Sequence, residues 1–205
     1  MALAVLSQAA GRVCTGFSYP IVAKYACSVG TISYTDGQEL ARGVQVELAV
    51  ETASADQFYA NNIEAEKAQE SFSSGTATLT VDGLLSAAEK LIYGLPDEVD
   101  TWLAYNDDQS IPYVGIGYIA EYVSGDVTSY VPYVLTKCRF TQRGLSHATR
   151  KGGRNYQTQT LTANVFRADD EKHKWLEEGS EFSTEAAALA ALKTKLNISS
   201  ATTTG

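Results

Sequence analysis

Ser146 and His147 stand side by side in Gly144-Leu145-Ser146-His147-Ala148, where a nucleophile adjoins a base. A nucleophile elbow needs a second glycine after the serine, so that a strand can turn sharply into a helix, and Ala148 stands there instead. The pair reads as part of a solvated loop. Glu64, Glu66 and Glu70 could be paired carboxylates, but acid–base work needs a concave apolar site that drives one pKa away from the other. Here the acids interleave with Lys67, the pattern of a solvated face or an interface rim. His173 lies among charges, and Cys14, Cys27 and Cys138 are odd in number and far apart, so they offer neither zinc spacing nor a disulfide framework. Gly152-Gly153-Arg154 lacks the strand-to-helix context of a phosphate loop. The expectation is a protein with no catalytic residue, no metal and no cofactor.

A basic cluster, Arg143, Arg150, Lys151 and Arg154, stands out in a chain whose formal net charge is -8. It fits an exposed hairpin tip or a docking point for an acidic patch on another subunit. An acidic chain gains no counterion release from phosphates, which argues against wrapping nucleic acid. The 205 residues suffice for one domain with a core of its own, without metal or disulfide. Residues 1–6 lack a basic leader, and no run approaches the roughly 20 apolar residues of a membrane span. A soluble protein made in a cytoplasm is expected.

The elements that must position these residues are mostly strands, in keeping with twelve tyrosines and many threonines. Residues 21–25 and 32–34 read as short strands, with Asp36-Gly37 as a hairpin signal. Val44, Val46, Leu48 and Val50 alternate with Gln45, Glu47, Ala49 and Glu51, which predicts a strand with one wet face. Thr76, Thr78, Thr80 and Asp82 alternate with Ala77, Leu79 and Val81 in the same way. The polar stretch between, residues 52–75, is long enough to read as a functional loop. Ser86 and Glu89 fit a capping box, and Gly94 and Pro96 stop that helix. Strands follow over 113–123, 127–141 and 155–167, with Gly115 and Gly117 marking a bulge or close approach. Residues 184–196 predict an amphipathic helix with Ser183 as N-cap.

The order of these pieces resembles the major tail protein, or tail tube protein, of long-tailed bacteriophages. The resemblance rests on Ala23-Lys24-Tyr25, Tyr34-Thr35-Asp36-Gly37, Gly43 leading into the 44–51 strand, Phe58-Tyr59-Ala60-Asn61-Asn62, and the run from Ser74 to Leu84. Asn61 stands where family members often carry an aspartate. Residues 130–142 and 157–166 extend the likeness more weakly. The resemblance implies a mainly β fold with flanking helices, a β-sandwich or barrel-like tail tube fold whose inner sheet joins a ring-wide barrel. It also implies hexameric rings stacked into a conduit for the genome, found in the virion tail and assembled in the host cytoplasm. The implied partners are other copies of the chain, the tape measure protein, the tail terminator and distal tail proteins, with DNA passing through unbound.

On this reading the chain divides into an arm (1–18), a tube domain (19–197) with an inter-subunit loop (51–75), and a flexible tail (198–205). Glu47, Glu51, Thr76, Thr78, Thr80 and Asp82 are the lumen-facing candidates, a lining on which phosphates meet like charge. Phe58, Tyr59, Asn61, Glu64, Arg143, Arg150, Lys151 and Arg154 are the inter-subunit candidates. A type VI secretion-like tube subunit, another tail component and a monomeric small-ligand-binding β-barrel are the alternatives.

Overall fold

The computed structural model describes residues 11–53, 57–60, 63–67, 71–96, 102–107, 109–149 and 157–198. The first hairpin joins β1 (Val13–Ser28) to β2 (Thr31–Glu39). Its turn is Val29-Gly30, with φ of 48° and 74°, the left-handed pair that matches the twist of a two-residue hairpin. Asp36-Gly37, the turn expected from sequence, lies inside β2. Asp36, at φ 54°, accommodates a bulge where the β1–β2 register slips between Val22 and Lys24.

The chain continues through β3 (Gly43–Thr52), the short β4 (Gln57–Ala60) and β5 (Ile63–Lys67), and β6 (Phe72–Val81). Helix α1 (Ser86–Tyr93) follows and ends at Gly94, whose φ of 60° suits glycine and whose N–H returns to the Leu91 carbonyl. Strands β7 (Val114–Ser124), β8 (Val127–Phe140), β9 (Gln159–Phe166) and β10 (Leu176–Glu178) precede helix α2 (Glu185–Lys195). Thr184 rather than Ser183 caps α2, accepting from the Ala187 N–H at 3.4 Å.

Eight strands form one antiparallel sheet in the order β2-β1-β7-β8-β9-β6-β3, with β10 added to β8. β4 and β5 form a separate hairpin between β3 and β6. One face of the large sheet is apolar from β1 to β6 and packs around α1, enclosing Val22, Ile116, Leu135, Leu79 and Leu161 with Ile92. On the opposite face, α2 covers Ile21, Ala23, Ile119 and Val134 with Ala188, Leu192 and Leu196. Each such aliphatic side chain contributes roughly 1.5–3 kcal/mol by leaving water, so these two layers hold the sheet.

The expected sandwich or barrel-like fold with a sheet built into a ring-wide barrel is corrected here. The sheet is open and ends on β2 and β3. It curls enough for the Phe17 ring to sit on Gly43, where a Cβ would come within 2.2 Å, but no ladder joins β3 to β1. The physical reason is that a helix, α1, fills the concave face. The core is sealed without a second sheet or ring closure.

Candidate assembly surface

Residues directly opposite one another in an antiparallel ladder project to the same side. In β3 and β6 these pairs are Gln45 with Thr80, Glu47 with Thr78, Ala49 with Thr76 and Glu51 with Ser74. In β6 and β9 they are Thr80 with Thr160, Thr78 with Thr162 and Thr76 with Asn164. The alternate residues Val46, Leu48, Leu79, Ala77, Leu161 and Ala163 turn into the core. Three strands therefore share a face of hydroxyls, amides and carboxylates that no helix among the described residues covers, beside the part that α2 covers. Glu47, Glu51, Thr76, Thr78 and Thr80 meet on it. Sequence reasoning missed Thr160, Thr162 and Asn164. Their period-two alternation was visible, but nothing local says that β9 pairs with β6.

The charges on this face are not all free. Glu51 accepts from the Ser74 hydroxyl at 2.8 Å. Asp82, just past β6, takes both the Arg42 N–H at 3.1 Å and its guanidinium Nε at 2.5 Å. Toward β8 the same face becomes cationic, because Arg139 pairs with Asn164 and Lys137 with Phe166. The Lys137 ammonium donates to Asp169 at 2.7 Å and lies 4.7 Å from the centre of the Tyr113 ring. That bond, with a second from the Tyr25 hydroxyl, holds the Asp169 carboxyl below its ordinary range. The face thus grades from carboxylates at β3 to cations at β8.

At the acidic border runs the bare edge of the sheet. Among the described residues β3 pairs with β6 alone, and Val44 and Val50 are 54% and 43% exposed. An edge of this length normally carries a lysine, a proline or a covering loop, since its unpaired N–H and C=O groups are a template for another strand. Beyond it, a cleft of about 450 Å³ separates β3 from the first residues of β1, floored by Phe17, Tyr118, Tyr122 and Tyr133. Tyr118 and Tyr133 stack with ring centres 5.4 Å apart. Burial pushes the Tyr118 phenol up to about 12.

Between β3 and β6 the expected loop contains the β4–β5 hairpin, which sets Phe58 opposite Glu66 and Tyr59 opposite Glu64. For Phe58, Tyr59 and Glu64 the backbone alone is described. Asn61, Arg150, Lys151 and Arg154 lie outside the described residues, as do 1–10 of the expected arm and 199–205 of the tail. Residues 13–18 of that arm belong to β1 and pair with β7.

Arg143 has an intramolecular role. Its guanidinium forms an ion pair with Glu89 on α1, donates to the Tyr105 hydroxyl at 2.8 Å and lies 5.7 Å from the centre of that ring. The same Glu89 accepts from Tyr105, so one carboxylate ties α1 to two connections. Burial raises the nearby Tyr93 phenol to about 12. Ser146 and His147 sit in the exposed connection after β8, along a cleft of about 470 Å³ that Asp82 and Gln157 also line.

No family model matches the chain, and no curated protein matches it. Together these residues can accept a further strand on an open edge and present a polar sheet face next to it.

Proposed function

We propose that this chain is a structural subunit that associates with copies of itself to build a hollow tube, the tail tube of a long-tailed bacteriophage. One observation carries the reading: among the described residues the edge strand β3 has a ladder on one side only, with β6, and lies beside a face of threonines and carboxylates. A protein that stays alone gains nothing from such an edge, whereas a neighbour's strand satisfies its backbone groups. The sequence resemblance supplies the ring, the six-fold symmetry and the genome as cargo. A monomeric ligand-binding barrel is less well supported, because it requires a ladder closed within one chain and this sheet ends on two strands.

In the tube, Glu47, Glu51 and the threonine rows line the passage. Hydroxyls and carboxylates offer phosphate little to grip, so DNA slides past. Negative-stain microscopy of the purified chain at rising concentration tests the association. Rings or hollow filaments are expected, and a chain that stays monomeric throughout removes the reading. Glu47→Lys with Glu51→Lys tests the lining, with delivery of DNA by assembled particles as the readout. Slowed delivery is expected; unchanged delivery through a cationic lining removes that role. These two acids are better targets than Asp82, whose loss would also release Arg42.

A further inference from the structure

Two tight hairpins of the large sheet turn by different chemistry. Between β7 and β8 the turn is Gly125-Asp126, with glycine at the left-handed position (φ 62°) and a polar residue beside it. Between β1 and β2 the turn is Val29-Gly30, and both residues are left-handed, Val29 at φ 48°. Asparagine or glycine adopts that conformation readily, whereas a β-branched residue is strained in it. Val29 is also fully exposed, and a Cβ added to Gly30 would meet nothing within 4 Å. A valine at this tip disfavours the isolated chain twice, through backbone strain and through apolar surface left in water. Backbone strain concentrates at sites that bind or switch.

The opposite end of β1 supplies what the tip lacks. The cleft of about 450 Å³ opens there, with Phe17, Tyr118, Tyr122 and Tyr133 as its floor and the exposed Val44 on its border. The charges around the two sites are complementary. Beside the tip the outward groups are Lys174 and Lys195, with side chains 43% and 47% exposed, while their partners Asp170 and Glu177 are only 8% and 24% exposed. Beside the cleft Glu47 follows Val46 on β3, Glu121 lies on Gly16, and Glu178 pairs with Tyr133 in the ladder, so three carboxylates outnumber the one guanidinium, Arg12.

We infer that the β1–β2 hairpin tip is a knob that seats in the aromatic cleft of a second copy, with Val29 against Phe17, Tyr118 and Tyr122. Knob and cleft lie at opposite ends of one strand, on the order of 45 Å apart at the rise of a β-strand, so they do not meet within a chain. A contact between two different patches is heterologous and passes from copy to copy. It is small, well under the roughly 1,000 Å² of a stable interface, so two single copies hold one another weakly, and several tips acting together hold far better. The contact uses side chains at the ends of β1 and not the backbone edge of β3. It stands or falls separately from the assembly reading above.

Disulfide trapping in the full chain tests this, because the exposed Cys14 lines the cleft. Val29→Cys, combined with Cys27→Ser to remove the neighbouring thiol, is oxidised with diamide, and the linkage is located by mass spectrometry. A dimer joined through positions 14 and 29 should form about tenfold faster than a dimer joined through 14 and 126 in Asp126→Cys with Cys27→Ser, the same change at the other hairpin tip; a tenfold difference corresponds to ~1.4 kcal/mol. Val29→Asn gives a second measurement without cysteines. Asparagine suits the left-handed turn, so the thermal midpoint should rise, while the concentration-dependent shifts of the Phe17 and Tyr118 NMR signals expected in the parent should be lost. Equal trapping at both tips, or shifts that persist in Val29→Asn, overturns the contact. A midpoint that falls in Val29→Asn shows the valine serving the fold and overturns the premise. A parent Cys14 closed to thiol reagents places another segment of the chain in the cleft and overturns the contact as well. Rings or filaments in negative stain together with equal trapping leave the assembly reading standing without this contact, and selective trapping by a chain that forms neither leaves the contact standing without that reading.

Discussion

Glu89 satisfies one local rule in the sequence and obeys a different one in the fold. Its spacing from Ser86 fits a capping box, yet Leu85 is the N-cap of α1 and no side chain caps that end. The carboxylate instead meets Arg143 and Tyr105, partners 54 and 16 residues away, which no local spacing rule can anticipate. Glu89→Ala leaves the Arg143 charge without its counter-ion on a side chain only 23% exposed. That loss should lower stability by about 2 to 3 kcal/mol. Chemical denaturation midpoints check this, and Arg143→Met in the same chain should recover part of the loss. The buried phenols give a second outcome. Tyr93 and Tyr118 are raised from 10.0 to about 12 because burial disfavours the phenolate. Their stabilisation is fully present below pH 10 and is lost as pH climbs toward 12. Tyrosinate absorbance and unfolding measured over that range should move together. What was legible at this scale is alternation: Val46 and Leu48 turn inward between Glu47 and its neighbours, and the threonines of 76–80 alternate with core residues, as their period requires, while Val44 and Val50 toward the ends of β3 stay exposed. The turn was not. Asp-Gly is the stronger local signal, but Val29-Gly30 makes the turn, because register with β1 decides where a hairpin closes.

Elements fit one another through positions that tolerate no side chain. At Gly115 a Cβ would come within 2.4 Å of the Tyr34 ring. That ring cannot swing away, since its hydroxyl donates to the Thr136 carbonyl at 3.0 Å across the core. Gly115→Ala should therefore cost about 2 kcal/mol by overpacking, read as a fall in the thermal midpoint with the secondary structure retained. Removing the α2 cap with Thr184→Ala should cost about 1 kcal/mol. The sequence marks Gly115 and Gly117 as a bulge or close approach, and both descriptions apply. The β7–β8 register slips between Val114 and Ile116, and the two glycines receive Tyr34 and the leucines of α2. The same kind of reading finds one loop over 52–75, because the β4 and β5 segments are too short to show a period.

For the whole molecule, the consequential difference lies between closed and open. Period-two patterning gives faces, but it does not say how many strands lie in one sheet or whether the last meets the first. Here the last does not meet the first, which leaves β3 as a surface with a direction and a chemistry. Val50→Lys places a charge on that edge at a residue already 43% exposed. It should abolish self-association in sedimentation while changing stability by less than about 0.5 kcal/mol; persistent association would shift attention from this edge.

The long reach of the central pairing also sets a clock for synthesis. β1 begins at Val13 but its partner ends near Val123, and β6 waits for β9 at 159–166. Non-local pairing of this kind folds slowly. Most of the chain must leave the ribosome before the middle of the sheet can form, and β3 becomes the rim of a finished sheet only once β9 has arrived. Until then β6 keeps an unpaired edge of its own, so a growing chain exposes strand edges that the finished sheet pairs.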